Sequence, residues 1–201
     1  MQMIKNMKLS KLFFVVFVAL LAACSGSEYE RLKKRELARN IRYDSLFLGL
    51  KFDMAKKDFY THCWNLNKEG VINQGPSNLS VQYKLDSANL RTDAYMWFYP
   101  VFKDDKIIKM PIKFTYQAWA PWNAQLSSDS LMVDVKRMFV KWYGGSFILV
   151  SDNNNERKVW VKVDGNRRIR IFKENISTVR ADITNLLEID QEPSKTEESK
   201  P

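Results

Sequence analysis

The chain has 201 residues, 45% of them hydrophobic, with 32 lysines and arginines against 23 acidic residues and a formal net charge of +9. Two cysteines and a single histidine are too few for a zinc site or a disulfide-stapled miniature domain, and no nucleic-acid-binding motif accompanies the positive charge. The apolar fraction is ample for a hydrophobic core, and the length suits one domain or two small ones.

The first 23 residues read as a secretory leader. Lys5, Lys8 and Lys11 precede an apolar run from Leu12 to Ala23, which ends in small residues at Cys24. At 12 residues this run is too short to span a hydrocarbon core that needs about 20 helical residues. Its end, Leu21-Ala22-Ala23-Cys24, resembles the lipobox of bacterial lipoproteins at all four positions. The resemblance implies that Cys24 is the first mature residue and the lipid attachment site, holding the protein to membrane lipid through several acyl chains, where one alone holds only marginally. Losing the leader's three lysines takes the formal charge from +9 to +6. Ser25 is compatible, by analogy with enterobacterial lipoproteins, with sorting to the outer membrane. With Cys24 consumed by lipid, Cys63 has no partner in the chain and is either a small buried hydrophobe or an exposed thiol.

Residues 24–43 read as a basic tether, in which Arg31, Lys33, Lys34, Arg35, Arg39 and Arg42 outnumber the acids. Such a segment either lies against anionic lipid or is a solvated spacer. Asp53 is a candidate N-cap for a helix over Met54–Glu69 that Gly70 ends, with Ala55, Phe59, His62, Cys63 and Leu66 on one face. Strands follow at Leu79–Leu85, at Ala94–Phe102 (apolar enough to be covered on both sides) and, after an Asp104-Asp105 turn, from Lys106 onward. Pro111 predicts a bend or an edge in that last strand.

A second unit repeats this order. Ser127–Ser130 supplies caps for a helix to Tyr143, with Leu131, Val135, Met138, Phe139 and Trp142 inward and Gly144-Gly145 as its stop. Ser146–Ser151 reads as a strand and Asn153–Asn155 as a loop. Lys158–Val163 and Arg167–Phe172 form a hairpin about Asp164-Gly165-Asn166. Ile176–Leu187 fits strand or helix spacing, and strand is preferred. The expected fold is α+β, with two helix-plus-antiparallel-sheet units at 44–120 and 121–190 after the signal peptide and tether. A disordered tail at 191–201 closes the chain.

The string Leu48-Gly49-Leu50-Lys51-Phe52-Asp53-Met54-Ala55-Lys56-Lys57-Asp58-Phe59 resembles the opening of the SmpA/OmlA and β-lactamase-inhibitory-protein-like lipoproteins. That family commonly has Gly where this chain has Asp53. The resemblance implies short helices packed on an antiparallel sheet, often behind a lipidated cysteine, in a non-catalytic binding module. Asp44-Ser45-Leu46, Asp86-Ser87-Ala88 and Asp129-Ser130-Leu131 further resemble the O-glycosylation acceptor of exported Bacteroidetes proteins, and each also suits a turn or helix cap.

His62 and Cys63 are the only histidine–cysteine pair, but neighbours on a helix do not face each other, and core packing accounts better for both. No residues read as catalytic, and no metal or cofactor site is expected. Two patches are candidate binding surfaces. Trp119 and Trp122 either anchor a partner or plug the joint between the units. Trp160, Lys162, Arg168 and Arg170 read as the outer face of the hairpin, set to bind an acidic partner or simply solvated. The functional expectation is a membrane-anchored lipoprotein of the cell envelope, acting as a binding or assembly module for an envelope protein. The alternative is an envelope enzyme or carbohydrate-handling lipoprotein using carboxylates and exposed tryptophans.

Overall fold

Among the described residues, nine strands pair into one antiparallel sheet, and its order explains how the two halves of the sequence share a core. The computed structural model describes residues 27–76, 79–88, 90–151 and 158–189. The leader with Cys24, the Asn153–Asn155 loop and the 191–201 tail lie outside the described residues. Helix α1 is Glu28–Ala38 and α2 is Lys56–Lys68. Strands β1 (Ile72–Gln74), β2 (Val81–Leu85), β3 (Ala94–Phe98), β4 (Val101–Lys103) and β5 (Lys106–Tyr116) follow. Then come α3 (Ser128–Tyr143), β6 (Ile148–Ser151), β7 (Lys158–Asp164), β8 (Arg167–Lys173), β9 (Val179–Asn185) and the short α4 (Leu186–Ile189). The sheet runs β1-β2-β3-β5-β9-β8-β7-β6, with β4 also paired to β5. No helix among the described residues is long and apolar enough to cross a membrane.

The fold is α+β, as the sequence predicts, and segment 176–187 is mostly strand. The two expected units, however, are halves of a single sheet. Strand β9 lies between β5 and β8, pairing Lys109–Phe114 on one side and Arg167–Lys173 on the other. One apolar core spans the join: Met96, Phe98, Ile112 and Phe114 from the first half and Ile169, Ile171, Ala181 and Ile183 from the second. Helix α3 covers this face because Leu131, Val135, Met138 and Phe139 recur at helical spacing and are all buried, while Trp142 sits at the margin, 37% exposed. Phe139 meets Phe114 edge to face at 6.0 Å. Beneath α3 the buried Asp134 carboxylate accepts from the Tyr116 hydroxyl at 2.6 Å and the Arg91 amide at 2.7 Å, so an acid sits in the core with its hydrogen bonds made.

Several boundaries differ from expectation for local reasons. Asp53 does not cap α2; it takes a left-handed φ of 60°, a region aspartate tolerates, and Ala55 holds the N-cap position. The apolar run 94–102 is two strands broken at Tyr99-Pro100, and β3 alternates buried and half-buried residues instead of being covered on both sides. Pro111 does not interrupt β5 and is paired with Asp182 on one flank, but its other flank is a local edge. β3 covers Ile112–Tyr116 and β4 covers Lys106–Lys109, so the proline, which has no N–H to give, falls where that flank has no strand partner. Leu79 is exposed, and β2 begins at Val81.

The largest correction concerns the basic tether. α1 packs Tyr29, Leu32 and Leu37 against Val161, Val163 and Leu186 on the sheet face opposite α3, forming a second, smaller apolar cluster. Its N-cap Ser27 accepts from the Glu30 amide at 3.2 Å, and buried Glu36 pairs with Arg39 at 2.6 Å. Burial raises the Glu36 pKa, but its hydrogen bonds and ion pairing with arginine outweigh it, and the net shift is downward. Downstream of α1 the chain is clasped by the β7–β8 turn. The Tyr43 amide donates to Asn166 Oδ1 at 2.6 Å, and Asn166 Nδ2 donates to Asn185 Oδ1 at 3.1 Å. Arg167 donates to the Ser45 carbonyl at 2.8 Å while stacking over the Tyr143 ring at 4.4 Å.

Gly165 makes this clasp possible. Its φ is +49°, and a Cβ there would stand 2.0 Å from the Ile41 carbonyl oxygen, closer than atoms can approach. Gly165→Ala is therefore expected to lower stability in urea by more than ~1 kcal/mol, the scale on which a side chain is penalised at a glycine-only backbone position. An unchanged midpoint and slope would show that the segment before Tyr43 is not pressed against the turn.

Candidate functional site

The register of β7 and β8 divides the hairpin patch expected from the sequence. Asp164 pairs with Arg167 across a two-residue loop, so Lys162 opposes Ile169, Val161 opposes Arg170 and Val163 opposes Arg168. Even positions on β7 therefore share a face with odd positions on β8. Trp160 and Lys162 lie on the α3 side, whereas Arg168 and Arg170 lie on the α1 side with Val161 and Val163. Trp160 packs on the main core with the Lys136 ammonium 3.3 Å from its ring centroid. Lys162 is buried and ion-paired with Asp164. The tryptophans of the connector also part: Trp119 packs against the main core, while Trp122 is 88% exposed. Neither patch is a continuous surface.

His62 and Cys63 have separate roles in packing. His62 Nε2 lies 2.6 Å from the Leu48 carbonyl, bracing the Leu48-Gly49 turn against α2. Cys63 is half-buried, and desolvation pushes its thiol up to about 11, the reverse of the shift that makes a reactive thiolate. Of the glycosylation candidates, Ser45 and Ser87 are exposed and Ser130 is half-buried beside Arg91, whose guanidinium donates to its hydroxyl at 3.0 Å.

A further concavity is one that the sequence does not suggest. Between α2 and the β1–β2 hairpin lies a groove of about 620 Å³. Buried Phe59 forms its floor, with Tyr60, Tyr99 and Phe102 set around that ring at 5.6–5.9 Å, each steeply inclined to it. The Tyr60 and Tyr99 hydroxyls are 2.6 Å apart. That bond, reinforced by burial, pushes the Tyr99 phenol up to about 12. Trp64 stands one turn beyond Tyr60 on α2 and is 62% exposed, with the Lys68 ammonium 5.3 Å from its ring centroid. Asn67, one turn further, donates to the Ile72 carbonyl at 2.9 Å and so fixes α2 to β1. The exposed side chains of Asn73 and Gln74 line the wall formed by β1, the terminal strand of the sheet.

No lining residue carries a charge, although 27% of the chain is charged. Aromatic faces beside amides and hydroxyls suit an uncharged ligand that offers apolar area and a few hydrogen bonds. The signal was present in the sequence as Tyr60 and Trp64 at i and i+4, flanking the inward stripe of Phe59 and Cys63. Asn73, Gln74 and Tyr99 reach the groove only through strand pairing.

Cys63 offers a direct check on this wall. With its thiol near 11 against an ordinary 9.0, labelling at pH 8 should be roughly a hundredfold slower in the native than in the unfolded protein from thiolate population alone. The raised value also means that its contribution to stability is present below pH 9 and is lost between about 9 and about 11, because the unfolded thiol ionises first. Equal native and denatured labelling rates would contradict the half-buried placement.

Comparison of this chain with protein-family models, with curated proteins and with solved structures finds no match.

Proposed function

We propose that this protein is a bacterial envelope lipoprotein, held to the membrane through acylated Cys24, whose α+β body binds another envelope protein without catalysis. The observation that carries the binding reading is the uncharged groove of about 620 Å³, walled by three solvent-exposed aromatic residues, Tyr60, Trp64 and Tyr99. Exposed aromatics clustered in one depression are the residues that dominate binding energy at protein interfaces. The anchor reading rests on the Leu21-Ala22-Ala23-Cys24 lipobox, preceded by a short apolar run and three lysines. The groove lies beside the terminal strand β1, so an extended segment of a partner can lie along it.

Two measurements test the two halves of this proposal separately. Radiolabelled palmitate is expected in the parent and absent from Cys24→Ser; equal labelling would remove the anchor. Tyr60→Ala with Trp64→Ala should lower the unfolding free energy by no more than about 2 kcal/mol and leave the protein folded, since Tyr60 is 48% and Trp64 62% exposed, yet abolish recovery of a crosslinked envelope partner. Because no charge lines the groove, recovery by the parent should change little with salt. Full recovery by the double variant, or recovery that collapses with salt, would place binding elsewhere.

A further inference from the structure

The face of the sheet opposite α3 holds a second cavity, of about 380 Å³, where the first turn of α1 meets β7 and β8. Its polar wall is Tyr29, Ser151, Arg168 and Arg170, and its apolar wall includes Val159 and Val161. Arg168 Nη1 donates to the Tyr29 hydroxyl at 2.9 Å, and Arg168 Nε is buried with no acceptor. Among the described residues neither arginine is ion-paired with a carboxylate. The acid opposite Arg170 in register, Asp182, is occupied by Arg180 at 3.1 Å and Lys109 at 3.6 Å, and Arg180 is further held by Glu174. Glu28 and Glu30, on either side of Tyr29, are exposed. The cavity thus has guanidinium donors in excess of the carboxylates around it, on a wall shared with hydrocarbon.

Chain length says where this cavity stands. Tyr29 is five residues from Cys24, and an extended chain advances at most about 3.5 Å per residue, so their α-carbons are within about 18 Å. Headgroups occupy roughly the outer 5–7 Å of each leaflet. If Cys24 is acylated, as the functional proposal holds, the cavity is tied beside the headgroup layer of the leaflet that takes the acyl chains. A phosphodiester matches the paired planar donors, and the hydrocarbon of the lipid's acyl chains matches the valines.

We infer that Tyr29, Arg168 and Arg170 bind the phosphate of an anionic phospholipid from that leaflet, so that anchor and headgroup together fix how the body stands on the membrane. The inference rests on the anchor reading and not on the groove.

The test uses the lipidated protein purified in uncharged detergent and reconstituted into phosphatidylcholine bilayers with or without phosphatidylglycerol. A ligand that binds the native state raises the unfolding midpoint, so phosphatidylglycerol should raise it by several degrees in the parent. Arg168→Gln with Arg170→Gln should abolish that shift, whereas Arg31→Gln with Lys34→Gln, which removes two exposed charges of α1 outside the cavity, should keep most of it. The parent comparison needs no variant and stands even if Arg168→Gln weakens the fold. No shift in a parent that carries palmitate overturns the headgroup site and leaves the anchor intact. A parent without palmitate overturns the anchor and this inference with it. Equal loss in both variants would mean diffuse attraction to basic residues, and an equal shift from inorganic phosphate in detergent would mean a free-anion site; either overturns the assignment to lipid.

Discussion

The insertion of β9 between β5 and β8 is the constraint on which the rest of the structure depends. This strand, the last among the described residues, joins halves that would otherwise each expose a sheet edge, pairing through Lys109–Phe114 on one flank and Arg167–Lys173 on the other. Val179, Ala181 and Ile183 complete the core under α3, so neither half buries its apolar face until the C-terminal strand arrives. This pairing is long-range in sequence, and its ordering cost is met only when both halves are present. The same insertion aligns Asn185 with Asn166 and through it holds Tyr43, so the segment leading from α1 is locked by the strand that forms the centre of the sheet.

Charge is distributed unevenly on this frame. The groove at the β1 end is walled by aromatic rings, amides and hydroxyls without a charged residue, whereas the face opposite α3 carries Lys109, Arg168, Arg170 and Arg180 around the buried carboxylate of Asp182. An uncharged groove gains affinity from area and shape, and a basic face is drawn to anionic surfaces before contact. Two recognition chemistries at different parts of one rigid sheet fit a body that faces a membrane with one surface and a partner with another.

Much of the fold was legible in the residues, and the failures have physical causes. Helices α2 and α3 followed from their apolar stripes and glycine stops, and Asp164-Gly165-Asn166 announced its hairpin. The helix-sheet grouping was visible, but the sheet's continuity was not, because nothing local marks β9 as a partner of β5. The hairpin patch fails on parity: each strand alternates as its sequence indicates, but a two-residue loop sets even against odd across the pair, which separates Trp160 and Lys162 from Arg168 and Arg170. The basic tether failed because Tyr29, Leu32 and Leu37 are sparse among charges, yet they suffice to seat α1 once Val161 and Val163 face it. The groove is not legible in the sequence because Tyr99, Asn73 and Gln74 are scattered along it and meet only when β1, β2 and β3 pair.

The central claim is that the anchored body binds through the groove between α2 and β1. Its most direct test replaces Trp64, and in parallel Trp122, with a photo-crosslinking amino acid in the lipidated protein of intact cells. Trp64 lines the groove, and Trp122 is the most exposed tryptophan of the described structure, in the connector before α3. The account predicts a discrete protein adduct from position 64 and none from position 122. An adduct from position 122 with none from position 64 would contradict it.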